Sequence, residues 1–362
     1  MTEPKRPLKI IVFSTKGRGT GAVLRAFYIA EALRQRGHRV TFAKPLPSLP
    51  LWFDMVLSAF YYPFYIFIVR AQVAFALKPY PTIVPALVLQ RLFGAKIVFD
   101  VDDLDYDYSH GWFRSFHRWI QKPWPAWADL VTYHNPELLG PLRGFFKVPA
   151  SKLVRLPQGV DRGLFNPGKT AARDLPPVAA ALQNKKNAGP LLAFTAHLNV
   201  ACDLEPVLEA FRLMRRSLPQ ARLLVAGGGP DEGRFKSLAR DLDLSGAVHF
   251  TGMVEPRQVA ACLGLCDAAL VYYRDIPVNR HRASMKLREA LACGCRVVAT
   301  AVGEAVLFKK ALFLSKPDPE SFAKAVLTAL KSRKSPQAAA LLVKNWDWKR
   351  CVEPLEKELL SR

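Results

Sequence analysis

Short apolar segments alternate with amphipathic ones along most of this chain, and the alternation forms two separate series. The apolar segments have the length of buried β-strands, and the amphipathic segments carry apolar residues at helical spacing. Strands that are separated by helices pair in parallel, because each helix carries the chain back across the sheet. The pattern therefore predicts an α/β protein with two doubly wound parallel sheets.

The segments that carry this prediction have clear boundaries. The first series of strands comprises Lys9–Phe13, His38–Phe42, Gln72–Leu77, Lys96–Asp100, Leu130–Tyr133 and Lys152–Leu156. The second comprises Leu191–Thr195, Arg222–Ala226, Val248–Thr251 and Ala268–Tyr272, and helices are predicted over Ala22–Gln35, Thr82–Phe93, Glu205–Ser217 and Arg234–Leu242. Residues 166–189, rich in Pro, Ala, Asn and Lys, are interpreted as the passage between the two domains. Because 362 residues exceed one ordinary core, we predict domains over 1–170 and 171–335, followed by a terminal segment over 336–362.

The chain carries a formal net charge of +22. Such an excess indicates an anionic partner, which the charge alone leaves open among nucleotides, nucleic acid and an anionic membrane face. The six cysteines form no CxxC pair and no zinc-type spacing, so free buried thiols are expected. The opening sequence MTEPKRPLKIIVF leads directly into a strand and does not resemble a signal peptide, which favours a cytoplasmic protein.

An uncharged aromatic stretch runs from Met55 to Val69 and contains Pro63. A membrane-spanning helix needs roughly 20 apolar residues, so this stretch is too short to be one. Two interpretations remain, a core helix of the first domain or an interfacial segment that dips into one leaflet.

A second aromatic stretch is interleaved with basic residues. It comprises Trp112, Phe113, Phe116, Trp119, Trp124 and Trp127, with Arg114, Arg118 and Lys122 between them. This mixture suits single-stranded nucleic acid, a lipid headgroup layer, or a partly buried helix with a solvated face. Together with the apolar stretch in the same domain, it favours a membrane-bound or lipid-linked partner over a nucleic acid.

Five aspartates lie close together after the fourth predicted strand, at Asp100, Asp102, Asp103, Asp105 and Asp107. Alternating carboxylates suit Ca²⁺ or Mg²⁺, but the EF-hand spacing that begins at Asp103 lacks its glycine. The alternative is that these residues cap a helix or pair with nearby Arg and Lys. A metal is therefore not expected, and Asp102 and Asp103 remain candidates for an acceptor contact or base.

The first loop, TKGRGTGA over 15–22, follows a strand and opens a helix. Its residues Gly17, Gly19 and Ala22 fit the dinucleotide pattern G-x-G-x-x-G/A. The second strand, however, ends RVTFAKP and has no acidic residue for a ribose hydroxyl, which argues against NAD.

The stretch SMKLREALACGCRVVAT, over 284–300, predicts a helix, a turn at Gly294 and a buried strand. Glu289 lies inside this helix beside Lys286 and Arg288. Its carboxylate is either a ligand contact or a solvated helix residue that faces Lys286.

The wording of this stretch resembles the donor-site helix of the group 1 glycosyltransferases of the GT-B fold, "(K)xxEAxACGxPVVA". Four further segments, LPQGVDRGLFNP, VAGGGPDEGRFKSLA, VHFTGMVEPRQVAACLGLCDAALVYY and NWDWKRCVEPLEKEL, resemble other motifs of that family in the same order. The resemblance extends over nearly the whole chain. It implies two Rossmann-like domains that face a central cleft, and a C-terminal helix over 336–362 that crosses back to the first domain.

The resemblance also implies an activity. The family transfers a sugar, with retention and without an obligatory metal, from a nucleotide diphosphate-sugar to an acceptor hydroxyl. Here the acceptor would be a surface glycan or a lipid-linked molecule at the inner face of the membrane. Glu289 would hold the ribose, while Gly17, Gly19 and Lys286 would hold the phosphates.

This chain departs from the family at four positions. His197 and Cys202 stand where the family has the Arg and Lys that clamp the diphosphate, His281 replaces a glutamate that contacts the sugar, and Asp102 replaces a histidine. We expect Arg282 or Lys286 to supply the missing charge. The candidate catalytic residues are Asp102, Asp103 and His281, and the candidate donor-binding residues are Gly17, Arg18, Gly19, His197, Arg282, Ser284, Met285, Lys286 and Glu289. The departures leave two alternatives, a non-catalytic GT-B glycan- or nucleotide-binding protein or scaffold, and a different enzyme on the same fold.

Overall fold

The strand-forming segments assemble into two six-stranded parallel sheets. They are seen in a computed structural model that describes residues 6–14, 21–43, 56–58, 60–78, 80, 82–167, 172–183, 189–332 and 343–361. The chain divides into two compact units. The first comprises Met1–Gln158, His281–Ala283 and Trp348–Arg362, and the second comprises Gly159–Arg280 and Ser284–Asp347.

The first unit contains one sheet with the strand order β2-β1-β3-β4-β5-β6. Its strands are β1 (Lys9–Ser14), β2 (Arg39–Phe42), β3 (Val73–Leu77), β4 (Lys96–Val101), β5 (Leu130–Tyr133) and β6 (Leu153–Arg155). The strand β3 is buried along its whole length, as expected for a central strand covered on both faces. The order reverses beside β1, which is the usual position of ligand sites in doubly wound sheets.

The second unit contains the other sheet, with the order β12-β11-β10-β7-β8-β9. Its strands are β7 (Leu191–Thr195), β8 (Arg222–Ala226), β9 (Val248–Phe250), β10 (Ala268–Val271), β11 (Arg296–Thr300) and β12 (Phe313–Ser315). All pairings in this sheet are parallel, for example Leu192 with Leu223.

Helices flank both sheets. In the first unit they are α1 (Gly21–Gln35), α2 (Tyr65–Ile68), α3 (Val84–Leu92), α4 (Gly111–Gln121), α5 (Pro123–Trp127) and α6 (Leu139–Gly144). The second unit contributes α7 (Pro177–Gln183), α8 (Leu204–Arg215), α9 (Glu232–Asp241), α10 (Pro256–Leu265), α11 (Pro277–His281), α12 (Met285–Ala292) and α13 (Pro319–Lys331), with His281 itself grouped with the first unit. The terminal helices α14 (Trp348–Cys351) and α15 (Glu353–Ser361) belong to the first unit.

The predicted strands and helices are found at the expected places, with small shifts at their ends. The helix α1 buries Ala26, Ile29 and Leu33 at helical spacing and ends before Gly37, which has a φ of +95°. Gly294 likewise follows α12 with a φ of +75°, as predicted for a helix C-terminus. The α/β interpretation, with two doubly wound parallel sheets, is therefore confirmed.

Residues 166–189 were predicted as the passage between the two domains, and the described part of this segment contains regular secondary structure. The described part of the predicted passage includes α7, which buries Ala179 and Leu182 against the core beneath β7 and β8. Upstream, the backbone N–H of Val160 donates to the carbonyl of Trp346, 2.8 Å away. Residues 159–167, which the sequence assigned to the first domain, group with the second unit in this division.

The terminal helices pack on the first unit through α1. The ring of Trp348 stacks on Tyr28 with centroids 5.7 Å apart, and Arg36 donates to Glu356 at 2.6 Å. Arg25, which is fully buried, lies with its guanidinium 5.8 Å from the centre of the Trp348 ring. A hydrophobic cluster continues from α1 and the sheet to Val352, Leu355 and Leu359.

The uncharged stretch predicted over Met55–Val69 has two different faces, as far as its residues are described. Tyr62, Tyr65 and Ile66 are buried in the core, and the Tyr62 hydroxyl donates to the Ser14 carbonyl at 3.0 Å. Phe64 and Phe67 are exposed on the other face. The core interpretation therefore holds for the buried face, and insertion of the exposed face into a leaflet stays a prediction. Across the described part of the chain, no helix is long and apolar enough to cross a membrane.

All six cysteines are free thiols, as expected. Cys266 is partly buried and the other five are buried.

Candidate functional site

The N-terminus of α12 is fixed by hydrogen bonds to its first residues. The Ser284 hydroxyl accepts from the backbone N–H of Leu287 at 3.2 Å, which is the usual arrangement of an N-cap serine. The same hydroxyl oxygen accepts from the Tyr273 hydroxyl at 3.1 Å. The backbone N–H of Ser284 donates to the Glu304 carboxylate. Met285, the first residue of the helix, is partly buried.

A buried ion pair holds α12 against the segment that follows β11. Arg288 donates through both terminal nitrogens to the Glu304 carboxylate, with Nη2 at 2.6 Å from Oε2. Its guanidinium also lies 5.0 Å from the Trp346 ring centre and 5.4 Å from that of Phe308. Because Arg288 and Glu304 are both buried and bidentate, they orient the helix and are unavailable to a ligand.

Lys286 extends toward the carboxyl end of β7. Its ammonium lies 5.4 Å from the Phe194 ring centre and 6.0 Å from that of Tyr273. Burial raises the pKa of the Cys202 thiol, and the charge of Lys286 opposes that shift. The ammonium of Lys286 therefore influences the Cys202 thiol. Cys202 stands at the position where the resemblance implied a lysine.

Glu289 lies one turn further along α12 and is partly buried. Burial raises the pKa of its carboxyl group to about 7, against the opposing charge of Lys286. A carboxylate kept in a poorly solvated position, with a cation nearby, is typical of a ligand-binding group. Lys286 and Glu289 thus present a cation and a hydrogen-bond acceptor at neighbouring positions of one helix.

The loops after β7 and β8 lie against each other without intervening side chains. Gly227 has a φ of +132°, and a Cβ there would lie 1.9 Å from the carbonyl oxygen of Ala196. The backbone N–H of Leu198 donates to Gly228 at 2.9 Å. His197, between Ala196 and Leu198, is exposed. The close backbone approach leaves His197 at the surface of the carboxyl end of the second sheet.

Asp203 joins the loop after β7 to the loop after β10. It accepts from the backbone N–H of Arg274 at 3.0 Å and from Asn279 Nδ2 at 3.3 Å. The guanidinium of Arg274 also pairs with Asp203 at 3.3 Å. These bonds fix the edge of the sheet on the side next to α12.

The carboxyl end of the first sheet carries a separate group of charges. Lys78, directly after β3, has its ammonium 3.3 Å from Asp102 and 4.0 Å from Asp103, which follow β4. Lys78 and Asp102 are both buried. Lys78 has a left-handed backbone conformation, with a φ of +66°, which costs a non-glycine residue energy and places its side chain here.

Asp103 is linked onward to Arg282 through a tyrosine. The Tyr108 hydroxyl donates to Asp103 at 2.9 Å and accepts from Arg282 Nη2 at 2.7 Å. Burial and the Asp103 carboxylate raise the pKa of Tyr108 above its usual value. The carbonyl of Arg282 accepts from Asn135 Nδ2 at 3.2 Å.

Asp107 lies between Arg114 and His281. Arg114 donates to it at 2.9 Å, and His281 Nδ1 lies 3.6 Å away, beyond a direct hydrogen bond. Burial opposes ionisation, but His281 and Arg114 together hold the pKa of Asp107 below its usual range. His281 is therefore positioned by an acidic residue of the first unit.

Asp100 has a structural role. It accepts from Arg25 Nε at 2.7 Å and from the Thr132 hydroxyl at 2.5 Å, and all three residues are fully buried or nearly so. Asp100 thus pairs with Arg25, Asp102 and Asp103 with Lys78, and Asp107 with Arg114, which agrees with the interpretation that these aspartates bind nearby Arg and Lys. Within the described ranges, no cluster of His, Cys, Asp and Glu has the arrangement of a metal site.

The predicted site residues fall into two groups. Asp102, Asp103, His281 and Arg282 belong to the first unit, whereas His197, Ser284, Met285, Lys286 and Glu289 belong to the second. The predictions at Gly17, Arg18 and Gly19 lie outside the described residues.

Two charged residues of these groups were missed from the sequence. Lys78 and Glu304 each follow a buried strand, with Glu304 four residues beyond the end of β11. A polar residue just after the carboxyl end of a parallel strand is a signal for a ligand-binding edge. That signal is present in the sequence, but the residues that Lys78 and Glu304 pair with could not be predicted from it.

Two parallel six-stranded sheets with surrounding helices make this an α/β protein of the GT-B fold. The chain superposes on sucrose-phosphate synthase from Thermosynechococcus elongatus with a TM-score of 0.75, covering 98% of each chain at 19% identity. Residues 181–342 match the family model described as glycosyl transferases group 1. The matched residues include Lys286 and Glu289.

Two curated relatives match about half of the chain. A GDP-mannose-dependent alpha-(1-6)-phosphatidylinositol dimannoside mannosyltransferase of Mycobacterium tuberculosis is 29% identical over 157 residues, which are 43% of this chain and 37% of that protein. An alpha-monoglucosyldiacylglycerol synthase of Streptococcus pneumoniae is 27% identical over 163 residues, 45% of this chain and 35% of the synthase. The matched part spans less than half the length of either relative.

Proposed function

We propose that this protein is a glycosyltransferase that moves a sugar from a nucleotide diphosphate-sugar to an acceptor hydroxyl. The observation that carries the proposal is the pair Lys286 and Glu289 on α12, inside the segment that matches the group 1 family. A cation beside the end of β7 suits a diphosphate, and a carboxylate one turn away suits the two hydroxyls of a ribose.

Donor binding is assigned to the second unit. Glu289 accepts hydrogen bonds from the ribose hydroxyls. These bonds offset the free-energy cost of removing water from the carboxylate when the ligand covers it. The N-terminus of α12, capped by Ser284, favours negative charge nearby. His197 and Met285 line the same end of the sheet in this proposal, and Gly17, Arg18 and Gly19 are proposed to contact the donor from the first unit.

Lys286 is proposed to replace the missing phosphate clamp. This role is supported by the effect of its ammonium on the pKa of Cys202, which stands at the position where the resemblance implied a lysine. Arg282 is the weaker candidate, since its guanidinium is engaged by the Tyr108 hydroxyl. The developing charge on the leaving diphosphate would be stabilised by a fixed cation, which is electrostatic catalysis by positioning.

The acceptor is assigned to the first unit, at Asp102, Asp103 and His281. The carboxylates accept a hydrogen bond from an acceptor hydroxyl, and the ammonium of Lys78 lies 3.3 Å from Asp102. Transfer is proposed to occur with retention and without a metal, as the family resemblance implies. The acceptor class we propose is a lipid or lipid-linked glycan at the inner face of the membrane, because the names of both relatives refer to glycolipids.

The test begins with donor binding. Thermal shifts are measured with UDP-, GDP-, ADP- and CMP-sugars on the wild type and on Glu289→Ala. We expect one base to raise the melting temperature and the variant to lose that response. The donor that binds is then supplied with lipid extracts, and transfer of labelled sugar is followed. If no donor shifts the wild type and none is consumed, the proposal is wrong.

A non-catalytic glycan- or nucleotide-binding GT-B protein, or a scaffold, is the second candidate. It is favoured by the departures at His197, Cys202 and His281, of which Cys202 is buried and His281 is held near Asp107. Donor binding with neither transfer nor hydrolysis across the acceptor extracts would select this alternative.

A further inference from the structure

The helix α4 is amphipathic, and polar side chains make several of its contacts with the rest of the first unit. Arg114 pairs with Asp107 at 2.9 Å, and His117 Nδ1 shares a hydrogen bond with the Ser109 hydroxyl at 2.7 Å. The guanidinium of Arg118 lies 4.4 Å from the Phe145 ring centre and 5.2 Å from that of Tyr106. Gln121 is the buried residue of the helix.

The apolar side of α4 faces away from the protein. The exposed fractions are 68% for Trp112, 53% for Phe113, 40% for Phe116 and 72% for Trp119. Positions i, i+1, i+4 and i+7 share one helix face, so these four rings form a single aromatic surface. We call this set of four residues the aromatic face.

This orientation is the reverse of an ordinary surface helix, which buries its apolar stripe and exposes its polar one. It is held by several independent contacts, because Arg114, His117 and Arg118 each have a partner outside the helix. Tyr106 is itself part of the core of the first unit, so the polar side of α4 rests on a firm support. A contiguous exposed aromatic surface of this kind indicates a partner.

We infer that the aromatic face inserts into the interface of an anionic lipid bilayer. Tryptophan and phenylalanine on one side of a short helix are the residues that enter the boundary between headgroups and acyl chains. Charge complementarity favours anionic lipid, since exposed Lys122 follows the helix, Arg114 is 46% exposed, and the chain carries a net charge of +22.

A second copy of the chain fits this surface less well. Aromatic side chains bury about 150–250 Å² each when fully covered, so four that are half exposed offer roughly 500 Å². A two-fold pair would bury about twice that area, below the roughly 1,200–2,000 Å² of stable protein interfaces. A lipid interface has no such minimum, because binding grows with each inserted ring.

A second exposed apolar strip of the first unit supports the same partner. It consists of Phe60, Phe64, Phe67 and Ile68, and Phe67 is 84% exposed. This strip is uncharged, and Tyr62 and Tyr65 anchor its other side in the core. Lipid binding by α4 requires neither this strip nor sugar transfer, so each can be tested separately.

The test is sedimentation with vesicles of phosphatidylcholine alone and of phosphatidylcholine mixed with phosphatidylglycerol. The wild type is compared with Trp112→Gln/Phe116→Gln/Trp119→Gln, and with Met253→Gln as a matched control, because Met253 is an exposed apolar residue of the second unit. We expect the wild type and Met253→Gln to bind the mixed vesicles, and the triple variant to lose roughly tenfold or more of that partition.

Additional measurements separate the outcomes. Lys122→Gln should weaken binding to the mixed vesicles only, and added salt should do the same. The changed side chains are exposed, so the melting temperature and the donor-induced shift of the triple variant should equal those of the wild type. Absence of a donor response in the wild type would instead report a failure of the proposed function.

Equal sedimentation of the wild type and the triple variant would overturn the inference. So would absence of vesicle binding together with a concentration-dependent dimer that the triple variant loses, since that result assigns the aromatic face to a second copy. Quenching of wild-type tryptophan emission by brominated phospholipid, reduced in Trp112→Phe/Trp119→Phe, would support insertion.

Discussion

Lys78 Nζ lies 3.3 Å from Asp102 Oδ1, and both side chains are almost completely withdrawn from solvent. The two residues follow adjacent strands, β3 and β4, so the pair joins their carboxyl ends. A buried ion pair is costly to form, yet removing one partner is costlier because an uncompensated charge remains.

Lys78→Met is therefore expected to destabilise the protein by about 3–5 kcal/mol, since it leaves Asp102 unpaired. Lys78→Met/Asp102→Leu should recover much of that loss, because neither charge is then buried alone. The measurement is urea unfolding of the single and double variants.

Activity separates the two roles of this pair. If Asp102 contacts the acceptor, the stable double variant should stay inactive although its donor-induced thermal shift is preserved. A double variant with wild-type transfer rates would show that Lys78 and Asp102 only stabilise the fold.

The raised pKa of Glu289 should make the stability of the folded protein depend on pH. Its pKa is about 7 in the folded protein, raised from 4.5. Between these values the folded state holds a proton that the unfolded state has released, so stability falls as pH rises from about 4.5 to 7. The loss is roughly 3 kcal/mol above pH 7, at 1.36 kcal/mol per pKa unit.

Glu289→Gln should remove this pH dependence and raise the melting temperature above pH 7 while weakening donor binding. A gain in stability with a loss of ligand affinity is expected when a binding residue is strained in the free protein. Melting curves at several pH values measure the first effect, and Ser361→Ala, at an exposed site of α15, is the control. An unchanged pH profile in Glu289→Gln would contradict the prediction.

The sheets could be predicted from the sequence because their signal is local. Runs such as Leu191–Thr195 consist mainly of apolar residues and are found as strands that are buried along their whole length. The strand β12, Phe313–Ser315, was not predicted from the sequence.

The site was predictable only in part. Glu289 and Lys286 could be named as candidates because α12 carries a local family motif, whereas the contacts of Lys78 with Asp102 and of Arg288 with Glu304 join separate elements. The orientation of α4 could not be predicted either. Its composition indicates an amphipathic helix, but contacts with Tyr106 and Phe145 decide which side faces inward.

Lys286→Ala should weaken binding of the nucleotide diphosphate-sugar, because it removes the cation beside the end of β7. A charged hydrogen bond contributes about 1.5–3 kcal/mol, which corresponds to an affinity loss of roughly 10- to 150-fold. The nucleoside without phosphates should bind both proteins equally. Calorimetric titration of each ligand measures the difference.

Lys236→Ala is the matched control for Lys286→Ala. Lys236 is an exposed lysine of the same unit that pairs with Glu232 on α9, away from α12. If Lys286→Ala and Lys236→Ala bind the donor equally well, Lys286 does not replace the clamp, and Arg282→Ala becomes the next variant to measure.

The position of the cation can be moved back to where the family has it. Cys202 is buried and its pKa responds to Lys286, so the two side chains influence the same space. Cys202→Lys alone adds a second cation to that space, and we expect it to lower the melting temperature through repulsion and desolvation. Cys202→Lys/Lys286→Met keeps a single cation there.

We therefore expect Cys202→Lys/Lys286→Met to bind the donor more tightly than Lys286→Met, and to be more stable than Cys202→Lys. Such reciprocal rescue is expected only if the donor phosphates need one cation in this space and tolerate either attachment point. A double variant that binds the donor no better than Lys286→Met would show that the charge must come from α12, because only the helix then places it correctly relative to Glu289.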